Sequence, residues 1–172
     1  MKRLALIFIG TMIILYACIE TEPVSPVPEI EFISFDLSAG YDNLGNDILL
    51  GKLKFSFIDG DADFGINIDT TKPQEYNIFL SEYGKLNDTY YFIEPDTTTP
   101  PLNYTVQHDD RLDRVGQNTT IRGTVTLNIY YLFLPDYDTI RYDFYIVDRA
   151  GHESNIESTT DISFTGFDLP EY

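Results

Sequence analysis

The sequence predicts an all-β protein, an antiparallel sandwich of about seven to nine strands. Three observations point there. Residues 121–133 alternate strictly: Ile121, Val125, Leu127, Ile129, Tyr131 and Phe133 fall on one face, and Arg122, Thr124, Thr126 and Asn128 on the other. That is the pattern of a strand with one dry and one wet face. Clusters of Gly, Pro, Asn and Asp recur between such stretches, as turns between strands require. No segment carries the 3.6-residue period of an amphipathic helix.

Taken in order, residues 30–37 read as a first strand and residues 41–47 as a turn. Residues 48–58 alternate, with Leu49, Leu53, Phe55 and Phe57 on one face around Gly51. An acidic loop follows at residues 59–65. Residues 75–83 form a strand with Tyr76, Ile78 and Leu80 in register, and residues 84–88 turn into a strand at 89–93. The segment EPDTTTPP at 94–101 cannot be a central strand, because proline lacks the ladder donor. Residues 102–107 are a short strand and 108–118 a polar loop. After the strand at 121–133, a turn at 135–138 leads to a strand whose inner face is Ile140, Tyr142, Phe144 and Ile146. Residues 148–151 connect it to a last strand carrying Ile156, Ser158, Thr160, Ile162 and Phe164.

The first 17 residues read as a leader. Lys2 and Arg3 precede an apolar run over residues 4–17, shorter than the ~20 residues that span a bilayer and shaped like a signal peptide. The run ends Leu15-Tyr16-Ala17-Cys18, which resembles the lipobox of bacterial lipoproteins; Tyr16 is bulkier than usual at its position. The resemblance implies that Cys18 is lipidated and becomes the new N-terminus. Cys18 is the chain's single cysteine, so no disulfide is expected. Residues 18–29, with Pro23, Pro26 and Pro28, form an extended tether. The sandwich occupies residues 30–167 and a tail 168–172. Glu20 and Glu22 just after the cysteine resemble an export signal to the outer face of the outer membrane. The expected location is therefore the outer membrane, lipid-anchored and surface-exposed, with the periplasmic face as the alternative.

Lys2 and Arg3 fall in the leader, so the rest carries nine basic against 28 acidic residues, a net charge of −19. Such a surface repels nucleic acid and anionic headgroups. Cations, basic proteins and neutral glycans remain as partners, besides the membrane reached through the lipid.

Chemistry concentrates in the acidic loop, DGDADFG, where Asp59, Asp61 and Asp63 alternate. Carboxylates two apart in a tight loop can converge, and calcium takes six to eight oxygens. Gly60 and Gly65 offer positive φ around an ion. An EF-hand is excluded: its sixth and twelfth positions demand Gly and Glu, and counting from Asp59 they hold Phe64 and Thr70. Asp148 and Asn155, with Asp143 behind them, are the further oxygen donors if strand ends bring them near. The alternative is an acidic turn whose aspartates cap their own backbone.

The run Tyr142-Asp143-Phe144-Tyr145-Ile146-Val147-Asp148, followed by Ala150-Gly151, resembles the sixth strand and turn of fibronectin type III and related immunoglobulin-like domains. DRAGHESN and the loop at residues 59–65 are likewise similar to immunoglobulin-like modules of bacterial surface lipoproteins. The resemblance implies an immunoglobulin-like sandwich, a corner hydrogen bond from Tyr142 to the backbone, and a role as a spacer or binder of glycan or protein. The absence of Trp departs from that pattern.

No catalytic arrangement stands out. His108 and His152 lie in acidic loops, and there is no Gly-x-Ser-x-Gly elbow, phosphate-cradling loop or His-rich metal spacing. The expectation is a non-enzymatic binding or spacer module stabilised by calcium. A glycan-binding accessory lipoprotein that uses the outward tyrosines Tyr130 and Tyr145 is the alternative, and a hydrolase ranks third.

Overall fold

A computed structural model describes residues 24–96, 100–108, 119–167 and 169. The leader, Cys18 and the tail apart from Leu169 lie outside the described residues. Among the described residues nine strands form: β1 (Glu29–Tyr41), β2 (Asp47–Asp59), β3 (Ile78–Leu86), β4 (Thr89–Phe92), β5 (Leu102–Tyr104), β6 (Ile121–Tyr131), β7 (Thr139–Ile146), β8 (Glu157–Ser158) and β9 (Ile162–Ser163). They form two antiparallel sheets. One runs β1-β2-β6; the other runs β4-β3-β7-β8, with β5 also on β3 and β9 also on β7. The all-β sandwich read from the sequence is thus the observed fold.

Alternation explains most of it. On β2, Leu49, Gly51, Leu53 and Phe55 are buried while Lys52 and Lys54 are exposed. On β7, Ile140, Tyr142, Phe144 and Ile146 are buried. The two inner faces meet in one core, where Phe55 packs on Phe144 at 5.2 Å between ring centroids. On β1 the apolar parity slips between Phe32 and Phe35. A bulge at this point, between Phe32 and Ser34, resets the register and turns Phe35 and Leu37 inward too. The ring of Phe35 then fills the notch at Gly51, where an added Cβ would lie 2.6 Å from it.

Four details depart from the sequence reading. Tyr76 precedes β3 and is exposed. Phe133 continues the inner-face alternation of β6 in sequence, but the strand ends at Tyr131 and Phe133 lies on the outside. The expected last strand is two two-residue ladders, and Ile156 is exposed. Between those ladders the Thr159 hydroxyl accepts from Tyr142 N at 3.1 Å, and Thr159 N donates to Tyr142 O at 2.9 Å. A side chain there stands in for ladder backbone. Nor does Tyr142 make a corner bond to the backbone. Its hydroxyl meets that of Tyr131 at 2.9 Å, both in the core, where burial pushes Tyr131 upward and raises Tyr142 well above the ordinary phenol range.

Two amides, one buried and one exposed, hold segments that strands do not. Asn77 is buried; its Oδ1 accepts from Val106 N at 2.7 Å and its Nδ2 donates to Val106 O at 3.1 Å. Asn155 does the same for Ile30, accepting at 2.8 Å and donating at 2.9 Å. With the Glu157 carboxylate on Phe32 N at 3.2 Å, this covers the open edge of β1 with side chains from the other sheet.

Candidate metal centre

The acidic loop leaves the end of β2 and is pinned from three sides. Gly60 N donates to Ser25 O at 3.0 Å, Thr119 Oγ1 donates to Gly60 O at 2.9 Å, and Arg149 N donates to Asp63 O at 3.4 Å. The glycines work differently from the expectation. Gly65 does take positive φ, at 109°, but the other left-handed residue is Ala62, at 60°. Gly60 is required by close approach instead: a Cβ there would lie 2.2 Å from Ser25 O and 2.4 Å from Val24 O. The segment at Val24 and Ser25 therefore packs directly on the acidic loop.

This geometry brings the three aspartates together. One carboxylate oxygen from each of Asp59, Asp61 and Asp63 lies within 4.8 Å of the other two. Asp59 is wholly buried and Asp61 is exposed. Asp59 Oδ2 accepts from Phe64 N at 2.8 Å, whereas its Oδ1 is buried with no hydrogen-bond partner. Asp63 Oδ1 is likewise buried without a partner, though the backbone at Ala150 lies near enough to lower its pKa. A buried acceptor left unpaired is costly, more so when it carries charge. Burial first, then the Asp61 carboxyl beside it and Asp63, push the Asp59 pKa up to about 6, against the lowering bond from Phe64. Burial and the charges of Asp148 and Asp61 raise Asp63 too. Three carboxylates, two with orphaned buried oxygens, could hold a metal ion.

The other expected donors take different roles. Asp148 does reach this end of the sandwich, close enough for its charge to act on Asp63. Both of its oxygens are already engaged by His152, Oδ1 by the backbone N at 2.8 Å and Oδ2 by Nδ1 at 2.8 Å. That bond and the acidic surroundings raise the imidazole pKa. Asn155 holds β1 through Ile30, as above, and Asp143 pairs with Arg141 at 3.1 Å and Ser158 at 2.7 Å. The sequence places His152 in an acidic loop; the Asp-x-x-x-His spacing within that loop is the signal that it would be tied to Asp148.

The two tyrosines assigned to a ligand are not brought together. Tyr130 is exposed on the outer face of β6. Tyr145 lies on the outer face of β7 in the other sheet, stacked on Phe79 at 5.2 Å and 18°. The sandwich stands between them, so no single sugar can touch both.

Comparison with protein-family models, with curated proteins and with solved structures returned no match. What defines this protein is therefore its own architecture: a two-sheet antiparallel sandwich with a partly buried triad of aspartates beside residues 24–25.

Proposed function

We propose that the chain is a non-enzymatic cell-envelope module, anchored by a lipid on Cys18, with an immunoglobulin-like sandwich that calcium at Asp59, Asp61 and Asp63 locks to its tether. One observation carries the metal part of this reading. Asp59 Oδ1 and Asp63 Oδ1 are buried and unpaired within the same carboxylate cluster. A hard cation would supply the missing partner for both. The donors are all oxygen, with no imidazole or thiolate in the cluster, which favours calcium over zinc or copper. The apolar leader and the cysteine that follows it support the anchor, and the tether at Val24 and Ser25, packed on Gly60, gives the ion a structural task. Bound there, it would fix the junction between tether and sandwich.

The anchor is tested by labelling cells with a radioactive fatty acid. Label should enter the protein and be lost in Cys18→Ala; label retained in that variant contradicts the anchor. The ion is tested by the metal content of protein dialysed against micromolar calcium. One calcium per chain is expected, and none in Asp59→Asn; calcium bound equally by both would place it elsewhere.

A further inference from the structure

Beside the acidic loop, the chain leaves the sandwich and returns. Residues 66–77 make a long excursion with no strand of their own. Ile66 N donates to Val106 O and His108 N to Ile66 O, both at 2.9 Å, which fastens its start. Asn77, clamped on Val106, fastens its end. Between this excursion and β5 lies a cleft of about 520 Å³, within the range of small-ligand sites. A second hollow, of about 480 Å³, lies on the side of the excursion toward Asp148 and Arg149.

The chemistry of the first cleft is unusual for this chain. Four carboxamides line it: Asn67, Gln74, Asn103 and Gln107. Among the described residues none of the four makes a side-chain hydrogen bond, in contrast to Asn77 and Asn155, whose amides both accept and donate. The hydroxyls of Thr70 and Thr105 and the side chains of Ile66, Ile68 and Pro73 complete much of the wall. Among the described residues its one cation, Lys72, pairs with Asp69 at 3.7 Å, and Glu75 leaves that lining net acidic. An anionic ligand meets repulsion here. Each free carboxamide offers both a donor and an acceptor, and four in one cleft suit a ligand dense in hydroxyls that are themselves both.

We infer that this cleft binds a neutral oligosaccharide. The inference rests on the binding-module half of the function proposed above and is separate from its metal half. Amides bridge vicinal hydroxyls, and the aliphatic wall covers the C–H face of a sugar ring. The site differs from the one expected at Tyr130 and Tyr145, which lie on opposite faces of the sandwich.

The test is calorimetric titration of the full chain in mild detergent with cellotetraose, maltotetraose and mannotetraose, each with calcium and with EDTA. Saturable binding of one of them, with a dissociation constant of about a millimolar or below, is expected. The double variant Asn103→Ala/Gln107→Ala should weaken it at least about tenfold, the loss for unmade polar contacts. Tyr130→Ala, on the far sheet, should leave it unchanged. No saturable binding of any of the three would overturn the inference. So would undiminished binding by the double variant, or competition by hexalysine as strong as by the sugar. A calcium-dependent rise in unfolding temperature without sugar binding would sink the cleft and leave the metal standing. Sugar bound equally with calcium and EDTA would support the cleft whatever becomes of the metal.

Discussion

Two acidic turns in this molecule can be set side by side. The turn at Asp42 is satisfied: Oδ1 accepts from Leu44 N and Asn46 N, both at 2.8 Å, and Oδ2 from Asn46 Nδ2 at 2.8 Å. Those bonds, the one from Asn46 first, hold its pKa below the usual carboxylate value. The loop at Asp59 is the reverse, with buried oxygens unpaired and a pKa driven up by burial. Asp69 behaves like Asp42, accepting from Thr71 N at 3.0 Å and Thr71 Oγ1 at 2.6 Å. An aspartate that merely caps a turn collects N–H and O–H donors. Asp59 and Asp63 lack enough of them, and each keeps a buried oxygen with no partner. The contrast separates a structural acidic turn from a candidate ion site within one chain.

The comparison can be sharpened at the glycines. Gly60→Ala forces a Cβ against two carbonyl oxygens of the tether, and chemical denaturation should show a loss of ~3 kcal/mol. Gly45→Ala in the Asp42 turn meets no atom and suffers only from its φ of 85°, so ~1 kcal/mol is expected. Equal losses would mean that the tether does not pack on the acidic loop.

Charge removal should act in opposite directions. Asp59→Asn keeps the acceptor for Phe64 N and removes a charge whose pKa is raised from 3.8 to about 6. In EDTA it should stabilise the protein by ~2–3 kcal/mol at neutral pH and erase any response to calcium. Asp42→Ala should destabilise slightly and leave that response intact. A destabilised Asp59→Asn in EDTA would break the contrast.

The same shift sets a pH dependence. Between the unfolded value of 3.8 and the folded value of about 6, the folded state holds more protons at Asp59 than the unfolded state does. Without metal, stability should therefore fall as pH rises through that window. Asp63 and His152, both raised, act in the same sense. Calcium needs the carboxylates ionised, so its affinity should climb over the same window. Unfolding midpoints from pH 4 to 7, in EDTA and in calcium, check both slopes. A metal-free protein that gains stability with rising pH would contradict the assignment.

Much of the fold was legible because its signals are local. β2 and β6 follow strict alternation, and the acidic triad is contiguous, so its convergence could be read from a spacing of two. What escaped was set by distant partners or by strand ends. Asn155 reads as an oxygen donor, yet it serves as backbone for Ile30, 125 residues away. Phe133 continues the alternation of β6, but the chain bends after Tyr131 and puts it outside. Alternation puts Tyr130 and Tyr145 on outer faces, as observed; that these belong to different sheets depends on topology, which alternation does not encode. The amide-lined cleft was invisible for the same reason, since Asn67 and Asn103 meet only after the chain returns.

The most direct test of the central claim is thermal unfolding of the chain in excess EDTA and then in millimolar calcium, for wild type and Asp59→Asn. A ligand at about 100 times its dissociation constant adds ~2.7 kcal/mol, roughly 5–10 °C for a domain of this size. The wild type should rise by that amount and Asp59→Asn should not move. Identical midpoints for the wild type in EDTA and in calcium would return Asp59, Asp61 and Asp63 to the status of a strained acidic turn.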